Sequence, residues 1–156
     1  EVYDSHTSLP VLLWFRSKHR GHSWITGLGV VTDAAIAFAS TVPGAERGSA
    51  LRLHRQAVRL VTGLAERVGV EPVPQLRGDL SARGWSIGYS SMSTIGLPLR
   101  GYDDSFGRVL AMRAEFHPYM EAFIDELLAP RGFWGVTAAD HLAEADPAGL
   151  FDPEQG

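Results

Sequence analysis

Residues Trp24 to Ala39, WITGLGVVTDAAIAFA, are apolar on almost every side of a helix, with only Thr26, Thr32 and Asp33 polar. A helix of that kind sits at the centre of a core or is covered by a partner chain, because no face of it suits water. As a helix it is roughly 24 Å long against a hydrocarbon core of ~30 Å, and it carries Asp33 near its middle, so it reads as a core helix rather than a membrane span. Ser23 is placed to cap it, and VPGAERG, from Val42 to Gly48, breaks it with proline and glycine. If one copy of the chain cannot cover this helix, self-association must, so a homo-oligomer is expected.

The chain has 156 residues, enough for one domain with an ordinary core. Its formal charge of -4 leaves no face-wide positive surface to displace counterions, so nucleic acid is not an expected partner. Cysteine is absent, which excludes disulfides, thiolate metal sites and thiol nucleophiles. No signal-peptide pattern is read at the start, and Glu1 in place of Met leads to the expectation of an upstream portion of a longer protein.

The next helix is predicted from about Ser49 to Val68, with Gly69 as a left-handed cap. Leu51, Val58, Val61, Ala65 and Val68 form its apolar stripe, widened by Leu53, Ala57, Leu60 and Leu64, while Arg52, Arg55 and Arg59 line the opposite face with Glu66, read as solvated with a binding surface as the alternative. Residues 70–101 read as a long irregular Gly/Pro-rich loop, in which the alternation of Trp85, Ile87 and Tyr89 allows one short strand. A third helical region begins near Asp103 and holds phase across Pro118 through Phe106, Val109, Leu110, Phe116, Met120, Phe123 and Ile124. Either one kinked helix or two shorter ones satisfy that pattern. Thr137 to Asp140 resembles a capping box for a short last helix, followed by a frayed tail. The expected fold is all-α, a bundle of four to five helices, organised as a connector (1–22), a helical domain (23–136) and a short helix with its tail (137–156).

Known catalytic patterns fail in their details. Gly27-Leu28-Gly29 has Thr32 where a dinucleotide loop needs its third glycine, and Gly88-Tyr89-Ser90-Ser91 is followed by Met92 rather than the glycine of a nucleophile elbow. His19 and His22 lie among Arg16, Lys18 and Arg20, whose fixed charge opposes metal binding. Glu115 with His117, and Asp140 with His141 and Glu144, supply ligand types without a ligand spacing. Glu121 and Asp125 share a helix face and read as solubilising carboxylates, with acid-base catalysis as the alternative. No catalytic residue, metal site or cofactor is expected. Asp33 is the sharper oddity: buried among apolar residues, it needs a cation, and Arg55 on the arginine-rich helix is the expected partner in a structural ion pair.

Before these helices lies an apolar-to-basic junction, SLPVLLWFRSKHRGHSW. With the helix that follows, Ser8 to Phe38 resembles the region just after the pore in bacterial two-transmembrane ion-channel proteins. The shared elements are Pro10, the run Val11 to Trp14, Phe15-Arg16-Ser17, the polar loop Lys18 to His22, Ser23-Trp24 and the internal Asp33. Glu126 to Trp134, ELLAPRGFW, is similar to the family's closing leucine-proline-tryptophan segment. The pore signature Thr-x-Gly-Tyr-Gly is not in the chain, and residues 70–101 are longer and more glycine-rich than the family pattern.

The resemblance implies a non-catalytic cytosolic domain of a potassium-channel-like protein, attached to a membrane pore domain in the same full-length chain and active in oligomerisation or gating. It implies a place at the cytoplasmic face of the cell membrane, with Arg16, Lys18 and Arg20 as a membrane-proximal basic loop. Trp14, Phe15, Trp24, Leu28 and Val31 are the residues expected in an oligomer or core interface. Two alternatives stand beside this reading. One is a small-molecule-sensing helical module closed by the glycine-rich loop, and the other an enzyme with an inter-helix pocket using Asp33, His54 or His117.

Overall fold

The computed structural model describes residues 23–44, 46–74, 80–94, 96 and 98–129, and within them every regular element is helical. The helices are α1 (Trp24–Thr41), α2 (Gly48–Val68), α3 (Ala82–Ser93) and α4 (Tyr102–Glu126). The fold is therefore all-α, as the hydrophobic periodicity predicts. The connector, with Trp14, Phe15, Arg16, Lys18 and Arg20, and the segment after Ala129, with the Thr137 capping box, lie outside the described residues.

Chain punctuation sets the helix ends. Ser23 stands in extended backbone immediately before α1, as expected, but its side chain makes no capping hydrogen bond. At the other end of the next helix, Gly69 adopts a φ of 73°, and the N–H groups of Gly69 and Val70 both donate to the carbonyl of Ala65. A residue with a Cβ is disfavoured in that conformation, which is why glycine stops α2 there. Helix α4 runs unbroken through Pro118. Proline removes the donor that would bond the carbonyl of Ala114, and Ala114 is exposed, so water can satisfy it.

Where a strand was allowed, the structure has α3. The alternation of Trp85, Ile87 and Tyr89 coincides with a helical series, Trp85, Tyr89 and Met92, and this second series packs against the core. Ser81 starts the helix by accepting a hydrogen bond from the N–H of Gly84 at 2.9 Å. The irregular middle segment is accordingly shorter than 70–101, which reduces what could close over a ligand.

Three long helices pack side by side with α3 against one end. Trp24 meets Phe123 edge to face at 6.3 Å, and Arg100 N–H donates to the carbonyl of Thr41 at 2.8 Å, so α1 and α4 run antiparallel. One apolar cluster joins Ile25 of α1, Ala57, Val61 and Leu64 of α2, and Phe116, Met120 and Phe123 of α4. A second joins Ile36, Leu80, Trp85 and Val109, with Tyr89, Tyr102 and Phe106 packed around them. Along α1, Asp33 lies between Ile25 and Ile36; along α4, Arg113 lies between Val109 and Phe116. The two apolar clusters therefore flank a polar layer.

Candidate functional site

The polar layer is built from one residue of α1 and a stripe of α4. Val109, Arg113, Phe116, His117, Met120, Glu121 and Ile124 all fall on the buried side of α4 at three- and four-residue steps, so the polar members share a face with the apolar ones. Arg113, His117 and Glu121 are 6%, 1% and 5% exposed, and Asp33 opposite them is 8% exposed.

Asp33 Oδ1 takes two hydrogen bonds, from Arg113 Nη1 at 2.8 Å and from His117 Nε2 at 2.8 Å. The remaining ring nitrogen, His117 Nδ1, lies 3.4 Å from Arg113 Nη2. Arginine only donates, so this contact makes Nδ1 an acceptor and leaves the ring hydrogen on Nε2, directed at Asp33. One carboxylate oxygen thus receives both partners, and the arginine and histidine support each other across one helical turn. Asp33 Oδ2 and Arg113 Nε are buried without a hydrogen-bond partner among the described residues.

A carboxylate on an apolar helix is tolerated here because a guanidinium neutralises it in place; unpaired, it would carry the full desolvation cost. The expected partner is wrong, however. Arg55 is exposed on the outer side of α2, and the cation that meets Asp33 is Arg113. Arg55 belongs to a dense arginine stripe, and amphipathic phase turns that stripe to solvent. Arg113 left a signal of its own: it occupies the gap between Val109 and Phe116 where the apolar stripe of α4 should continue. Glu121 differs from expectation too, being buried, whereas Asp125 is half-buried.

The interface residues separate by side. Trp24 and Leu28 are half-buried and pack against the first apolar cluster, so they belong to the core. Val31 is 52% exposed. With Gly27, Val30 and Ala34, also exposed, it forms an outward apolar stripe at steps of three and four residues along α1.

Asp33 and His117 fall within hydrogen-bond reach of each other, which is the arrangement an enzyme using this pair requires. Yet Nε2 and Nδ1 of His117 face Asp33 and Arg113, leaving neither ring nitrogen to meet a substrate, and the ring is 1% exposed. His54 lies apart, its Nε2 3.0 Å from the carbonyl of Met112. Among the described residues no group of three or more His, Asp or Glu side chains could hold a metal ion. The arrangement can fasten α1 to α4.

Comparison with known protein families, with curated proteins and with solved structures gives no match to this chain.

Proposed function

We propose that the chain is a non-catalytic regulatory or assembly domain of a bacterial potassium-channel-like ion-channel protein. In this reading a pore-forming part of the same full-length chain holds it at the cytoplasmic face of the cell membrane, and it self-associates through the outer side of α1. The observation that carries the reading is the stripe Gly27, Val30, Val31 and Ala34. Helix α1 is apolar on its outer side as well as its inner one, with Val30 46% and Val31 52% exposed. By length and composition alone it is apolar enough to cross a membrane, but half of it is buried within the bundle, Asp33 included. A bundle helix that keeps an apolar outer face is suited to a second copy, and a multi-subunit pore brings copies together.

The buried ion pair fits the same role. A charged layer between two apolar clusters fixes how α1 sits against α4, and α1 is the helix that follows the connector toward the proposed pore. Such a domain needs a rigid α1 to pass a displacement between pore and bundle. The enzymatic alternative has the Asp33–His117 contact in its favour, and the occupied ring nitrogens against it.

The test is the coding sequence immediately upstream of Glu1. Two apolar spans of about 20 residues bracketing a Thr-x-Gly-Tyr-Gly motif are expected. An upstream sequence without apolar spans would remove the channel reading.

A further inference from the structure

We infer that the solvent face of α2 is a docking surface for an anionic phospholipid bilayer. Arg52, Arg55 and Arg59 are all exposed, and at 100° per residue they fall within one narrow side of the helix. From Arg52 to Arg59 the rise is about 10 Å, close to the Debye length at physiological salt, so the three charges act on a partner together. Among the described residues no carboxylate pairs with any of them; Arg52 donates only to the hydroxyl of Ser49 at 2.8 Å. A protein with a net charge of -4 therefore keeps a concentrated, unneutralised positive stripe on one helix.

Charge complementarity asks for an anionic partner, and shape narrows the choice. Of the neighbouring positions on that side, Ser49, Gln56 and Gly63 are neutral and two of them are small, while the charged positions, Glu66 and Arg67, come in the last turn beyond Arg59, so a flat surface can reach all three guanidiniums at once. Glu66 ends the stripe, which is too short to follow the backbone of a nucleic acid. The opposite side of α2 is committed to the core through Ala57, Leu60, Val61 and Leu64, so the helix cannot roll over and insert its apolar face. Contact is limited to guanidinium and lipid phosphate, which makes it peripheral and salt-sensitive. The choice of a membrane over another polyanion rests on the membrane-attached reading above. Its test is independent of the α1 face.

The experiment is co-sedimentation of the full chain with phosphatidylcholine vesicles, with and without phosphatidylglycerol. The chain should bind only the phosphatidylglycerol vesicles and leave them as salt rises. At about fivefold per arginine, R52Q/R55Q/R59Q should weaken binding about a hundredfold. R52K/R55K/R59K, which keeps the charge, should retain most of it. The basic loop is controlled by repeating the α2 substitutions in an R16Q/K18Q/R20Q background, where they should still lower binding. Unchanged binding by the α2 glutamine variant in either background would overturn the inference. So would equal binding to both kinds of vesicle, or retention on an acidic polypeptide with none on vesicles, which would point to a protein partner. Vesicle binding carried by α2 in a chain that sediments as a monomer would uphold this inference while contradicting self-association.

Discussion

Asp33 of α1 and Arg113 of α4, separated by 80 positions in the chain, meet at 2.8 Å between Oδ1 and Nη1 in the bundle interior. Removing one member leaves the other charged and buried. Asp33→Ala and Arg113→Ala should each destabilise the domain by about 3–5 kcal/mol, read from urea unfolding. Replacing both with apolar residues of similar size, Asp33→Leu with Arg113→Met, should cost far less than the sum of the single changes. Additive losses would mean that the pair is not coupled.

The capping contact of Ser81 with the N–H of Gly84 is the local reason that α3 starts where it does. Ser81→Ala should cost about 1 kcal/mol, whereas Ser81→Asp, which keeps an acceptor, should cost little. Hydrogen exchange of the first turn of α3 is the sharper readout, since the loss should be local to that helix.

These two contacts show what the sequence makes legible. Helix α2 can be placed from Gly69, because a left-handed glycine acts within a few residues, whereas Ser23 marks the start of α1 without making the capping bond its side chain allows. The need of Asp33 for a cation is legible as well, from the apolar residues on both sides of it. Its partner is not, since choosing between Arg55 and Arg113 depends on how two helices are rotated about their axes. Helix α3 was obscured by a coincidence of periods: Trp85 and Tyr89 satisfy alternation and a helical turn equally, and the third member, Met92, decides between them only once the core it meets is known. The outward stripe of Gly27, Val30, Val31 and Ala34 is likewise invisible in a segment apolar all round, until packing shows which side is left over.

Asp104 supplies the pH-dependent expectation. The side-chain hydrogen bond from Arg108 lowers its pKa below the ordinary value; desolvation, the next influence in size, opposes this, and the charges of Arg108 and Arg100 add to the lowering. A carboxylate with a lowered folded-state pKa adds stability above its unfolded value and loses it as the pH falls through the folded one. The group is fully exposed, so the effect on global stability is small and best followed at the residue itself. In an NMR titration the Asp104 carboxyl should titrate below 3.8, and Arg108→Gln should move it upward. No movement would show that the 2.9 Å contact from Arg108 Nε does not persist in solution.

Sedimentation equilibrium over a wide concentration range reads self-association of the chain itself. An assembly domain that uses the outer face of α1 should form a dimer or a higher oligomer. Val30→Glu with Val31→Glu, at positions already exposed and so harmless to the core, should return it to a monomer that keeps its helical circular dichroism. A wild-type chain that remains monomeric at the highest concentration, or an oligomer indifferent to both substitutions, would rule out assembly through α1.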